Sequence, residues 1–417
     1  MRTLIILLSI VCLLVSCGSS RMAVESAGRN VLIPEDFAGM VHAGHTKTDA
    51  EYAFMDEMGI SWTLTTFYWG SIERRQGEWD FSGTDAFVDA AKAHGKKIIG
   101  VLAYDVRWIH PEGETKRYIT QEQLPHFLEF VEKTVSRYKG RVDAWQIWNE
   151  PNYRVFWKGS LDDYLAMAKA GSELIRATDP DAKLLMGGFN LLGYGKYLYG
   201  LFTSGAMQYG GEASFHPYYL NPNGSARVYD ALIRRLAKNG YDGKVWITEV
   251  GYPTGGWYPT RVAEKKYGAY IVKTMTLLAV RGVRVACWYQ LFDPPRDRRK
   301  KRNSEDYFGL AYPDFEKKQG AEAYPACVKN IVGKAYNPAN PISAALPKSV
   351  ESYCFEGDDG LRTLILWKRH SGTKTVTLPL AGSEHKVFDS KTGLSSTFEP
   401  SQPVEISAFP LIITWKE

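Results

Sequence analysis

Two glutamates in this chain each stand where a short apolar run stops. Glu150, in Trp148-Asn149-Glu150-Pro151, closes the run Val142-Asp143-Ala144-Trp145-Gln146-Ile147. Glu249, in Lys244-Val245-Trp246-Ile247-Thr248-Glu249-Val250-Gly251-Tyr252-Pro253, ends a second hydrophobic run that breaks into a Gly/Pro loop. Two carboxylates at the mouths of two strands suggest paired acid/base work on a glycosidic bond. In such a pair one group keeps its proton near neutral pH, its pKa raised by burial and a neighbouring negative charge, while the other stays ionised.

The elements that must position them belong to a longer series. Short β-like runs alternate with helical-period segments, the pattern of parallel βαβ units in an α/β fold. Eight strands are predicted: Phe37 to Ala43, Ser61 to Phe67, Lys97 to Tyr104, Val142 to Trp148, Lys183 to Gly188, Ala213 to His216, Lys244 to Thr248 and Val283 to Gln290. Between them, the segment from Gln121 to Lys139 carries Leu124, Leu128, Val131, Val135 and Tyr138 on one stripe. Another helical segment starts at Ser160 and is stopped by Asp179-Pro180. Eight strands with eight helices close as a (β/α)8 TIM barrel, whose active residues sit at the carboxyl ends of strands. Glu150 and Glu249 then end the fourth and seventh strands and face each other across the barrel. There they would flank a sugar at about 5 to 5.5 Å, the separation of a retaining pair. An open doubly wound sheet is the alternative, but its Gly-rich phosphate loop is missing. From about Pro341 the pattern changes to short alternating strands, among them Thr363 to Trp367, Thr375 to Leu378 and Pro410 to Trp415. The predicted organisation is a barrel over residues 31–340 and a small C-terminal antiparallel β-sandwich over 341–417.

In these residues the chain resembles the clan A glycoside hydrolases over most of Phe37 to Tyr324. Trp148-Asn149-Glu150-Pro151 and Thr248-Glu249 are similar to the clan's strand-four and strand-seven motifs. Gly77-Glu78-Trp79-Asp80-Phe81, Phe215-His216-Pro217-Tyr218 and Tyr307-Phe308-Gly309-Leu310 point to families 39 and 5 within it. The resemblance implies a retaining enzyme with Glu150 as acid/base and Glu249 as nucleophile. It implies that Asn149 holds the sugar 2-hydroxyl, that Tyr218 hydrogen-bonds Glu249, that His216 orders the pocket, and that Trp288 forms its floor. One position departs from the clan pattern, which reads Trp, apolar, Arg in strand two. Here the run is Trp62-Thr63-Leu64-Thr65-Thr66, and leucine replaces a buried cation that would help keep Glu249 ionised. Arg107, after strand three, is a candidate replacement. A non-catalytic glycan-binding lipoprotein on the same scaffold is the rival reading, and an adhesin acting through the β-domain is a third.

Composition fits these readings. The chain is 45% apolar and 23% charged with a formal charge of +5, which is too modest for a dedicated nucleic-acid binder. Twelve Trp and 25 Tyr supply flat faces for sugar rings. Trp69, Tyr104, Trp108, Tyr153, Trp157, Tyr219, Trp257 and Tyr258 fall in expected strand-end loops and as a set favour a poly- or oligosaccharide. The run Arg296-Asp297-Arg298-Arg299-Lys300-Lys301-Arg302 follows strand eight and suits an anionic glycan or lipid headgroups. At the start, Arg2, the apolar stretch Leu4 to Val15 and Leu14-Val15-Ser16-Cys17 resemble a bacterial lipoprotein signal over residues 1–17. Lipidation of Cys17, a tether over 18–30 and export to a membrane-anchored position are expected. Cys287 reads as a buried small hydrophobe. A disulfide between Cys327 and Cys354 is conceivable, and no metal or cofactor motif is visible.

Overall fold

The computed structural model describes residues 30–41, 48–112, 117–191, 195–257, 260–295, 297 and 299–417. Cys17 and the tether up to residue 29 lie outside the described residues, as does Tyr258. All eight predicted strands form: β1 (Ala38–Val41), β2 (Trp62–Tyr68), β3 (Lys97–Ala103), β4 (Ala144–Ile147), β5 (Lys183–Asn190), β6 (Glu212–His216), β7 (Val245–Val250) and β8 (Ala286–Trp288). They close into one parallel barrel in chain order, with β8 paired to β1. Strands buried on both faces explain their near-continuous apolar sequences. At the amino ends of β2 and β7, Trp62 and Trp246 meet edge to face at 5.1 Å and fill that end of the barrel. Cys287 is fully buried, its thiol packed so close to Gly39 that a Cβ there would meet Sγ at 2.5 Å.

A helix follows each strand: α1 (Asp49–Glu57), α2 (Ser82–Ala93), α3 (Leu124–Arg137), α4 (Leu161–Thr178), α5 (Gly195–Thr203), α6 (Pro222–Lys238), α7 (Glu264–Ala279) and α8 (Ala323–Ile331). Their starts carry local signals. Thr48 and Glu51 form a capping box on α1, Ser160 and Asp163 form one on α4, and the Asn221 side chain accepts from the Gly224 amide at 2.8 Å. The stripe expected on α3 holds in its second half and shifts in its first. Val131, Val135 and Tyr138 are fully buried as expected, but Phe127 and Phe130 are buried with them in place of Leu124 and Leu128, which are half-buried. Trp69 decides this by stacking on Phe130 at 5.5 Å and meeting Phe127 edge-on.

The C-terminal unit is an antiparallel sheet built on β9 (Val350–Glu356), β10 (Leu361–Lys368), β11 (Ser383–Asp389), β12 (Leu394–Thr397) and β13 (Leu411–Lys416). Two further strands, Ala335–Tyr336 and Val31–Leu32, pair with each other and extend it from β9, though both lie in the stretch expected for the barrel. They mark where the chain enters and leaves the closed barrel, so its two ends meet in one sheet. One face of this sheet, with Phe355, Ile365, Trp367, Phe388 and Ile412, joins the barrel's core. The other face, with Cys354, Leu364, Leu366 and Ile413, is covered by Leu378, Phe398 and the strand pair Lys374–Val376/Val404–Ile406. That division corrects the conceivable disulfide. Cys327 lies on α8 in the first core and Cys354 in the second, and both thiols are free and buried. Among the described residues no helix is long and apolar enough to cross a membrane.

Candidate active site

The carboxyl end of β4 delivers Glu150 through an unusual backbone. Trp148 and Glu150 both have positive φ, 65° and 47°, so the strand ends at Ile147 rather than at the expected Trp148. L-residues adopt this region at a cost of about 1–2 kcal/mol each and persist there only when their surroundings hold them. Here the support is explicit. Gln146 points into the barrel and donates to the Trp148 carbonyl at 2.9 Å, while the Ser214 hydroxyl holds the Gln146 side-chain oxygen at 3.0 Å. The Glu150 amide donates to Gly188 O at 3.2 Å. Gly188 must be glycine, because its φ is 54° and a Cβ would meet the Gln146 amide nitrogen at 2.5 Å. Beyond the turn the Trp148 indole donates to Phe156 O at 3.0 Å and meets Trp157 edge-on, anchoring the loop after β4.

Glu150 and Glu249 come together around one histidine. His216, at the end of β6 and fully buried, places Nδ1 2.8 Å from a Glu150 oxygen and 3.5 Å from a Glu249 oxygen. Facing two carboxylates, that nitrogen is the N–H donor. Its Nε2 lies 3.0 Å from the Thr248 hydroxyl. The Tyr218 hydroxyl donates to Glu249 at 3.0 Å, and Asn190 donates to Glu150 at 3.0 Å. One ligand-type atom from each of Glu150, His216 and Glu249 lies within 4.8 Å of the others, and this is the one such group among the described residues with spacing fit for a metal ion. Asn149, beside the pair, donates to the Tyr104 hydroxyl at 3.2 Å.

The charges of this group are interdependent. Burial pushes Glu249 up to about 7; His216 pulls it down, Glu150 pushes it up and the Tyr218 hydrogen bond pulls it down. Burial opposes the His216 imidazolium, but the Glu249 and Glu150 carboxylates outweigh it and leave its pKa above the ordinary value. Among the described residues His216 is the only basic side chain paired with Glu249. Leu64 is buried, so no arginine stands in its place. Arg107 is exposed on a short 3-10 turn and does not substitute. The raised Glu249 is what loss of that cation is expected to produce.

Of the expected site residues, Glu150, Glu249, Asn149, His216 and Tyr218 are brought together, and Trp288 is not. Its indole is fully buried and donates to the Tyr267 hydroxyl of α7 at 3.2 Å, with Tyr324 of α8 edge-on, so it faces the helix layer. Strand alternation turns the next residue, Tyr289, toward the site, where it packs edge-on against Tyr218 and Phe308. Tyr289 donates to Glu305 at 3.3 Å, a third carboxylate near the pair whose pKa is raised by burial and by Glu150. Asn190, Tyr289 and Glu305 were not singled out from sequence; Asn190 falls two residues beyond the predicted end of its strand. Among the loop aromatics, Trp69 and Trp157 are buried anchors, Trp108 and Tyr153 are half-buried, and Tyr219 and Trp257 are exposed. On the β2–β4 side, Tyr68 approaches Tyr104, which stacks with Phe156, which meets Tyr153. In the basic run, Arg296 and Arg298 lie outside the described residues. Arg299 is committed to the fold, donating to Pro294 O at 3.1 Å and lying over Tyr312.

Comparison with known proteins points the same way. A family model for glycosyl hydrolase family 10 matches residues 41–198, which include Glu150 and stop short of Glu249. Endo-1,4-beta-xylanase A of Phanerodontia chrysosporium is 29% identical over 161 residues, covering 36% of this chain and 38% of its own length. Endo-1,4-beta-xylanase C of the same fungus is 30% identical over 158 residues, covering 34% of this chain and 38% of its own length. The chain thus spans less than two-fifths of the length of these relatives. A solved family 39 glycoside hydrolase from the gut symbiont Bacteroides cellulosilyticus WH2 superposes with a TM-score of 0.76 at 21% identity, over 92% of this chain and 81% of that one. The likeness to clan A glycoside hydrolases holds in sequence for the first half of the barrel and in fold for nearly the whole chain.

Proposed function

We propose that the protein is a retaining glycoside hydrolase acting on a β-linked poly- or oligosaccharide. The observation that carries this reading is the separation of Glu150 and Glu249, whose oxygens approach within 4.8 Å. Retaining enzymes hold their carboxyl groups about 5–5.5 Å apart, whereas inverting ones leave about 6.5–9.5 Å for a water. Glu249 attacks the anomeric carbon and the bond to the leaving oxygen breaks with its electron pair. That oxygen takes the proton of Glu150. Water then bonds to the same carbon, gives a proton to Glu150, and the electron pair returns to the Glu249 carboxylate. The shared His216 suits both steps, since its N–H stabilises whichever carboxylate is ionised. Asn149 and Tyr104 form the wall against which the sugar hydroxyls lie.

Following hydrolysis of oligosaccharides of the xylanase relatives' substrate class by proton NMR tests the reading. Retention predicts that the β-anomer is released first, and first release of the α-anomer overturns it. A metal-dependent use of the same cluster is separated by a chelator, which leaves a proton-based double displacement at full rate. We also propose that the chain is exported and held to a membrane through lipid on Cys17, on the strength of the Leu14 to Cys17 pattern. Incorporation of labelled fatty acid that is lost in C17S supports this, and incorporation unchanged in C17S contradicts it.

A further inference from the structure

Arg117 stands in a backbone conformation that a non-glycine residue does not adopt freely, with φ 84°. Both of its peptide groups are pinned. Its amide donates to Asp105 Oδ2 at 2.6 Å, and its carbonyl accepts from the Lys158 amide at 2.7 Å, tying the loop after β3 to the loop after β4. Asp105 is itself fixed by His110 at 2.6 Å, with both side chains 1% exposed. The product of this support is a guanidinium lying 3.9 Å from the centre of the Tyr104 ring. Tyr104 is the residue that receives the Asn149 hydrogen bond, and it feels the charge of Glu249. Among the described residues the Arg117 guanidinium has no hydrogen bond and no carboxylate partner, although it is only half-exposed. The neighbouring loop adds two exposed cations, Arg154 and Lys158. On the β8 side Glu305 adds a third carboxylate beside Tyr289, in the same loop as the exposed Lys300, Lys301 and Arg302. A strained position that glycine would occupy more easily, held at both ends so as to lay an unpaired cation on the wall of the site, implies that the cation itself is needed.

We propose that Arg117 is an anion-recognition residue of the glycan cleft, taking the carboxylate or sulfate of an acidic sugar on the β3–β4 side, and so directs the site toward acidic β-linked glycans. This rests on the glycosidase reading for the identity of the cleft. Tyr104 holds the guanidinium against its ring face, leaving its N–H groups for the anion.

Calorimetric binding to the full chain carrying E150Q, which slows turnover, tests the inference with β-1,4-linked xylo- and gluco-oligosaccharides. Each is presented in neutral, uronic-acid-bearing and sulfated form. At least one acidic form is expected to bind more tightly than its neutral counterpart by about tenfold or more, the range of one charge-assisted hydrogen bond. The preference should shrink with added salt and identify the anion as carboxylate or sulfate. R117G and R117Q should abolish it, and R117K should keep part of it. R117G is expected to fold without loss of thermal stability, since glycine relieves the positive φ, and R117Q retains the stem packing on Tyr104. No acidic form preferred, or a preference that persists in R117G and R117Q, overturns the inference. Failure of the glycosidase reading shows separately, as absence of hydrolysis of every form by the unsubstituted protein.

Discussion

At the scale of the residue, the site depends on Glu249 being ionised in a largely enclosed position beside a second carboxylate. With its pKa pushed up to about 7, attack is lost as pH falls through that value, so the acid limb of kcat/KM should lie near pH 7. An acid limb near pH 4 would show that Glu249 is an ordinary carboxylate. H216A removes the cation that pulls Glu249 down, so kcat/KM should fall further at pH 6 than at pH 8, with the limb displaced upward. E150Q should lower kcat/KM by about 10²–10⁴-fold for substrates whose leaving group needs protonation. Stability follows the same group. A carboxyl raised on folding stabilises the native state below its unfolded pKa, and that contribution disappears as pH rises through about 7, when an ionised group is buried. His216, also raised, acts in the same direction. The Tm of E249Q minus that of the unsubstituted chain should therefore grow from pH 5 to pH 8, and a constant difference would contradict the assignment. The two glutamates, Asn149, His216 and Tyr218 were legible in the sequence because each sits at a strand end in a recognisable motif. Trp288 was misplaced by one position, and in a strand one position is the difference between the interior and the helix layer.

At the scale of the element, the loop after β8 is held by a buried ion pair. Lys318 Nζ lies 2.8 Å from Asp293 Oδ1, with both side chains fully buried, and also bonds Thr254 Oγ1 at 2.9 Å and Tyr307 O at 2.8 Å. Asp293 in turn accepts from the Gly309 amide at 2.7 Å. This ties the loops of β7 and β8 and sets Phe308 against Tyr218. K318M leaves the buried Asp293 carboxylate with only Arg299 at 3.7 Å and should destabilise by about 3–5 kcal/mol in denaturant titration, while K318M with D293N should recover a large part. Equal stability of K318M and the unsubstituted chain would show the pair to be dispensable. Nothing in the sequence distinguished Lys318 or Asp293 from surface charges, since the pair is joined only by the fold. The eight strands were legible from their apolar runs and the Gly/Pro breaks after them. Their ends were less so, because Trp148 leaves β4 through backbone geometry and not through residue type.

At the scale of the whole molecule, the barrel and C-terminal sheet share one core. Trp367 stacks on Tyr353 at 5.1 Å and carries Lys273 of α7 over its ring. W367A should destabilise by about 3–5 kcal/mol, and removal of residues beyond 340 should leave an insoluble barrel instead of a smaller active one. A soluble, active product would show the sheet to be a separate module. The switch from helical to alternating periodicity near Pro341 announced this unit, but the two-residue strands Val31–Leu32 and Ala335–Tyr336 are too short to carry a period. In the proposed reaction Glu249 attacks the sugar while Glu150 serves as acid and base. Incubation with a 2-fluoro glycoside bearing an activated leaving group, followed by peptide mass spectrometry, tests it most directly. One covalent glycosyl adduct is expected, located on Glu249 and absent in E249Q; an adduct elsewhere, or hydrolysis of the glycan that survives E249Q, would contradict this assignment.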